Sequence, residues 1–384
     1  MARRKITPAA SKKIDTKINP TGIFSHSDRR LFAITLAVTV VAGIFHNSGG
    51  NPIVAFGFAG AALATLASLV GRSVEALGDR LGSGATGVLQ SFLGNLPELF
   101  VILFSLKAGL YEVVKATIVG SILANVLLIM GLAFVVGGIK HGRQLFSAQA
   151  SRQLALLLTL SVFALAIPTL TSALHTPAAD HERVVTVVVS VLLLLLFAAS
   201  LPDTLRHKPD ESGVAGSALA LEAKSAEEHH GEWPLQVAIG ILALAGIGAA
   251  FVSEWFVAAL TPAIDLMGIS EAFAGLIIVA IAGNAVENVV GIQLAAKNKP
   301  DYALQVILQS PVQVAMTVAP IVALAAPLVG AAAFTLVLSP LLLAVLFMAA
   351  IVAVLVVIDG DSTWFEGATL LVLYGAIATA FWWG

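Results

Sequence analysis

Glu98 and Glu287 are the residues with most scope for chemistry, because each carboxylate stands inside an apolar run. They occur in matching settings, Gly94-Asn95-Leu96-Pro97-Glu98 and Gly283-Asn284-Ala285-Val286-Glu287. One fixed offset relates Gly94 to Gly283, Asn95 to Asn284, Glu98 to Glu287 and Ser121 to Ser310, with no gap between. Val101/Val290 and Ile118/Ile307 also match, as an apolar composition produces by itself. The polar identities are different. Ionisable and amide groups within a membrane span are costly and rare, so the repeat reads as one binding half-site duplicated. The alternative reading makes each glutamate an ordinary hydrogen-bonding residue between helices.

On a helix, Asn95 and Glu98 share a face, as do Asn284 and Glu287, so each half offers one carboxylate and one amide to a common cavity. Two facing carboxylates in a low dielectric repel and must be neutralised, by a divalent cation or by protons. A site that accepts either, but not both at once, exchanges them. Carboxylate, amide, hydroxyl and carbonyl oxygens suit hard cations, and no histidine falls in the paired motifs, which disfavours Zn2+ and Cu+. Ca2+ is favoured over Mg2+, which demands near-ideal octahedral geometry and dehydrates reluctantly. Pro97 removes a backbone donor and is expected to release the carbonyl near Leu93, while Gly94 and Gly283 permit irregular backbone that a membrane tolerates where it lines a cavity. Pro311 stands in the same relation to Ser310, and Gly120 precedes Ser121, with Asn125 one turn beyond. Such Gly and Pro residues also occur where helices only pack closely.

The elements that must position these groups are membrane helices. Of the 384 residues 58% are hydrophobic and 11% charged, a balance foreign to soluble domains of this size. With no cysteine, disulfides and thiolate chemistry are excluded. Apolar runs predict eleven spans, at about 31–45, 52–71, 84–106, 113–137, 152–173, 183–201, 234–257, 271–295, 302–326, 334–357 and 366–383, most near the ~20 residues a bilayer requires. Placing the N-terminus in the cytoplasm puts all Lys and Arg on that side except Lys107, Lys115 and Arg183, in keeping with the positive-inside rule. Residues 1–30 form a basic arm, read as a solvated topology signal or a contact for anionic lipid, and nucleic-acid binding is not suggested. Residues 31–51 supply the first span and its loop. Residues 52–201 and 234–384 are two five-helix repeats joined by an acidic cytoplasmic linker, 202–233, in which 217–232 could form a helix. An odd number of spans per repeat inverts the second against the first, and Asn95 and Asn284 then meet at the midplane, where secondary transporters bind substrate.

With these residues in view, the sequence resembles the cation/Ca2+ exchanger superfamily, and within it the Ca2+/H+ antiporter family. The resemblance rests on GNLPELFVILFSLKAGLYEVVKATIVGSILANVLLIMGLAFVVGG, on FVSEWFVAAL followed by ISEAFAGLIIVAIAGNAVENV, on Lys297-Asn298-Lys299 and on the Ser310 to Gln313 segment. It implies Glu98 and Glu287 as central ion ligands, assisted by Asn95, Asn284, Ser121, Ser310 and Gln313. Glu75, near the cytoplasmic end of the second span, and Glu254, near the outer end of the seventh, match acidic positions implied to relay protons or gate access. The chain departs from the family at Asn288, where histidine is usual, and at Gln309-Ser310-Pro311, where Gly-Ser is usual. Pro97 is more like the Na+/Ca2+ branch.

The expectation is therefore an all-α polytopic protein of the cell membrane that exchanges Ca2+ for H+, with no cofactor beyond the transported ions. Na+ as counter-ion and a channel are the competing readings. A membrane enzyme is disfavoured, since the sequence holds no His-Glu-x-x-His, Gly-x-Ser-x-Gly or cysteine nucleophile. Its substrates are then Ca2+ and H+ and its surroundings the lipid bilayer; nothing in the sequence sets an oligomeric state.

Overall fold

A computed structural model describes residues 24–81, 93–206 and 233–383. Among the described residues the regular structure is helical apart from one two-stranded ribbon. In order it forms α1 (His26–Ser48), α2 (Pro52–Leu81), α3 (Leu96–Lys107), α4 (Tyr111–Leu123), a π-helical turn (Ala124–Ile129), α5 (Met130–His141), β1 (Gln144–Leu145), α6 (Ala148–Ala173) and α7 (Glu182–Arg206). After residue 233 come α8 (Leu235–Met267), α9 (Glu271–Phe273), a second π-helical turn (Ala274–Val279), α10 (Ala280–Gly283), α11 (Ala285–Ala296), α12 (Pro300–Gln313), a third π-helical turn (Val314–Val318) and α13 (Ala319–Ala325). The chain closes with α14 (Pro340–Val356), β2 (Asp361–Ser362) and α15 (Trp364–Phe381). Among the described residues, 8 helical runs are long and apolar enough to cross a membrane.

Several boundaries differ from the sequence expectation. The first helix opens at His26 rather than residue 31, because Ser25 and Asp28 form a reciprocal capping box. The tenth run does not start as helix at 334. Residues up to Ser339 are not helical, and two of their backbone donors are satisfied by distant threonines: Leu336 N–H donates to Thr186 Oγ1 at 3.3 Å and Leu338 N–H to Thr169 Oγ1 at 2.9 Å. Non-helical backbone survives at membrane depth only with such internal partners. The proposed acidic helix at 217–232 and most of the basic arm lie outside the described residues.

Small residues set how closely the site-bearing helices approach. A Cβ on Gly120 would overlap the Leu276 backbone, and one on Gly275 would come within 2.5 Å of Val113 O. Thus α4 crosses the second π-helical turn with almost no side-chain spacer, in the manner of small-residue contacts between membrane helices. Beside them α2 and α8 pack against each other along much of their length. Their shared end is pinned by Trp233, whose Nε1–H donates to buried Asp28 at 3.0 Å, while Arg72 Nε donates to the same carboxylate at 3.2 Å.

Candidate cation site

Both glycine-asparagine pairs fall at breaks in helices. Asn284 separates α10 from α11 with φ −103° and ψ 19°, and Asn95 caps α3 with φ −86° and ψ 8°. These are the same sparsely populated bridge conformation, in which many active-site residues sit. Pro97 therefore acts otherwise than expected: it is the second residue of α3, where its missing N–H breaks no helical bond. The break belongs to Asn95, whose carbonyl already accepts the first α3 bond from Leu99 N–H at 2.9 Å.

The breaks also change how each motif is presented. Because Asn95 precedes the helix, it does not share Glu98's neighbours. Its Nδ2 donates across the molecule to Gln313 Oε1 at 2.9 Å, whereas Glu98 Oε1 accepts from Ser121 Oγ. Asn284 knits the halves together. Its Nδ2 donates to Ser121 Oγ at 3.0 Å and to Ala280 O at 2.9 Å, and its Oδ1 accepts from Ser310 Oγ at 3.3 Å. Gly283 packs directly on Glu98, since a Cβ there would lie 3.3 Å from Glu98 Cγ. Asn95, Glu98, Ser121, Asn284, Ser310 and Gln313 are all buried within the protein. Gly94 sits in the turn before Asn95.

Glu98 is the electrostatic centre of this group. It is 1% exposed, no basic side chain pairs with it among the described residues, and its Oε2 has no hydrogen-bond partner there. An isolated buried carboxylate costs several kcal/mol, so this one calls for a proton or a cation. The surrounding donors are amide and hydroxyl oxygens. Carboxylate, amide and hydroxyl oxygens suit a hard cation.

Glu287 lies in the first turn of α11, but its side chain is outside the described residues, as is that of Glu75 on α2. Glu254 is exposed on α8. It is not at the end of its helix as expected, because the apolar run continues through Leu260 to Met267 despite Pro262.

One residue that the sequence places beside Ser121, but that is not among the expected ligands, joins the site. Asn125, fully buried, donates from Nδ2 to Ser121 O at 2.9 Å and to Ser310 Oγ at 3.2 Å. Its repeat equivalent is Val314, so a search for duplicated polar residues passes over it. A buried amide one turn from Ser121 was the available signal. The π-helical turns that follow Ser121 and Ser310 accompany these residues, and such turns often mark functional sites.

The description "Sodium/calcium exchanger protein" belongs to a family model that matches residues 51–201 and 237–383. The chain belongs to that family. Exchanger relatives agree with the motif resemblance across most of the molecule. The chain is 38% identical to the "Ca(2+)/H(+) antiporter ChaA" of Bacillus subtilis (strain 168), over 82% of this chain and 88% of the relative. It is 31% identical to the "Ca(2+)/H(+) antiporter" of Synechocystis sp., over 92% and 97%. Among solved structures, selenium-substituted Ca2+/H+ antiporter protein YfkE superposes with a TM-score of 0.74 at 31% identity, covering 92% of this chain and 99% of that one. The fold is thus that of a multi-pass exchanger in a membrane, a family of transporters and not of enzymes.

Proposed function

We propose that this protein is a secondary active transporter exchanging Ca2+ for H+ by alternating access, with Glu98 and Glu287 as the shared metal and proton site. The observation that carries the reading is Glu98: a buried carboxylate without a basic partner among the described residues, ringed by amide and hydroxyl groups. Ca2+ and protons are alternative neutralisers of that charge, so each excludes the other and transport of one is tied to counter-transport of the other. Asn95, Asn284, Ser121, Ser310 and Gln313 supply neutral oxygens, and Gly94 and Gly283 allow the backbone irregularity that exposes carbonyls. Glu75 and Glu254 serve as outlying proton-relay or gating acids. H+ is preferred to Na+ as counter-ion because the relatives sharing about a third or more of the sequence are named as Ca2+/H+ antiporters.

In this reading eleven helices comprise an N-terminal helix and two inverted five-helix repeats, 52–201 and 234–384. The basic arm of residues 1–30 and the acidic linker 202–233 face the cytoplasm of a cell membrane. The backbone breaks at Asn95 and Asn284, with like dihedrals in both halves, support the repeat. Purified protein in liposomes tests the function: Ca2+ uptake is expected when an H+ gradient is imposed and not when a Na+ gradient is imposed. Uptake driven by Na+ alone would favour the Na+-coupled alternative, and flux independent of both gradients would favour a channel.

A further inference from the structure

The likeness between the halves stops one turn from the site. Ser105 lies two turns along α3 from Glu98, and Thr117 one turn before Ser121 on α4, both 1% exposed. Since Ser121 is hydrogen-bonded to Glu98, the faces carrying these residues meet, and helical spacing places Ser105 and Thr117 on the same seam. With a rise of 1.5 Å per residue, Thr117 and Ser105 lie about 6 and about 10 Å along their helices from Ser121 and Glu98, toward the loop after Lys107. The repeat-equivalent residues are Leu294 and Val306, both buried and apolar.

Buried hydroxyls on these helices commonly satisfy themselves, although those of Thr35, Thr39, Ser190 and Tyr374, away from Glu98, are unpartnered among the described residues. Ser73, Ser161, Ser253 and Thr317 each donate to the carbonyl one turn back, at 2.6 to 2.8 Å. Ser105 Oγ and Thr117 Oγ1 have no partner among the described residues, and Glu98 Oε2 at the base of the seam has none either. Three buried, unpartnered oxygens on one seam call for a ligand that both donates and accepts at hydrogen-bond spacing. Water does so. Ca2+ needs six to eight oxygens, and two neutral hydroxyls provide too few. Ile102, also buried, lies on the same face between Glu98 and Ser105.

We propose that the seam between α3 and α4 is a water-binding site, a file of ordered water joining Glu98 to the Lys107 side of the membrane by way of Thr117 and Ser105. It rests on the Ca2+/H+ reading and deepens it: protons travel along this file while Ca2+ enters elsewhere, and the matching seam beside Leu294 and Val306 stays dry.

Two readouts in liposomes test it. In the Ser105→Ala/Thr117→Val double variant, H+-driven Ca2+ transport should fall at least about tenfold, as loss of a proton-transfer path entails. Exchange of labelled Ca2+ for Ca2+, which moves no proton, should keep its rate. The Ser105→Thr/Thr117→Ser variant retains both hydroxyls and should restore H+-driven transport. Equal loss of both rates, or loss of neither, would overturn the proposal. Because the chain has no cysteine, single cysteines give a readout independent of transport. Ser105→Cys and Thr117→Cys should react with a small aqueous methanethiosulfonate reagent, and Leu294→Cys and Val306→Cys should not. Equal labelling of all four, or labelling of neither seam residue, would also overturn it. If the parent protein shows no H+-driven transport, the Ca2+/H+ reading fails by itself, and the labelling pattern still decides whether the seam holds water.

Discussion

The two half-sites share a backbone but not a bonding pattern. Asn95 and Asn284 adopt nearly the same dihedrals at the same kind of helix break, yet Asn95 reaches one partner, Gln313, whereas Asn284 holds Ser121, Ser310 and its own Ala280 carbonyl. The two segments therefore share the backbone break and differ in what surrounds it. In physical terms, the break needs a residue that tolerates the bridge region, and asparagine does so in either half; neither side chain caps its helix, which leaves both amides for cross-helix bonds. The network around it depends on cross-helix neighbours, which differ: Asn125 faces no counterpart amide at Val314, and Gly120 is replaced at the equivalent position by Gln309.

The largest effect should come where the halves are alike. Glu98→Gln and Glu287→Gln are each expected to abolish Ca2+ exchange in liposomes with folding intact, since the amide keeps the shape and removes the charge. Retained exchange in one variant alone would show that the halves have diverged in function as well as in bonding. Next comes a difference between them. Gly120→Ala drives a Cβ into the Leu276 backbone, and overpacking of this kind costs about 1 to 3 kcal/mol. Gln309→Ala, the matching change in the other half, should leave thermal stability in detergent nearly unchanged.

The asparagines sharpen the comparison further. At about 1 kcal/mol per bond, Asn284→Ala removes three hydrogen bonds and should weaken Ca2+ affinity roughly a hundredfold, while Asn95→Ala, losing one, should weaken it about fivefold. Direct Ca2+ titration of both variants checks the order, and equal losses would mean that the denser network is only structural. Smallest is the linker. Replacing Glu222, Glu227, Glu228 and Glu232 with Gln should shift the Ca2+ concentration dependence modestly, and raising ionic strength should shrink the shift, because salt screens charges in a linker that the sequence reads as solvated.

Much of this was legible in the chain. The paired motifs, the polar identities and most helical runs could be read because polar groups in apolar surroundings and unbroken hydropathy are local signals. The non-helical segment before α14 was not, because its apolar residues look helical until Thr169 and Thr186 are known to face it. Nor was the role of Pro97, which depends on where α3 begins. Asn125 was visible one turn beyond Ser121, but its bond to Ser310 spans two helices far apart in sequence. Glu254 looked terminal because the apolar run was ended at residue 257, whereas the helix runs on to Met267.

The central claim is that Ca2+ and protons compete for one pair of carboxylates. Calorimetric titration of the purified protein with Ca2+, repeated over a range of pH in buffers of different ionisation enthalpy, measures affinity and proton release together. Carboxylates must be deprotonated to bind the metal, so affinity should fall as pH is lowered, and binding should release protons in the same pH range. Glu98→Gln should reduce that release. A Ca2+ affinity independent of pH, with no proton released on binding, would contradict the account.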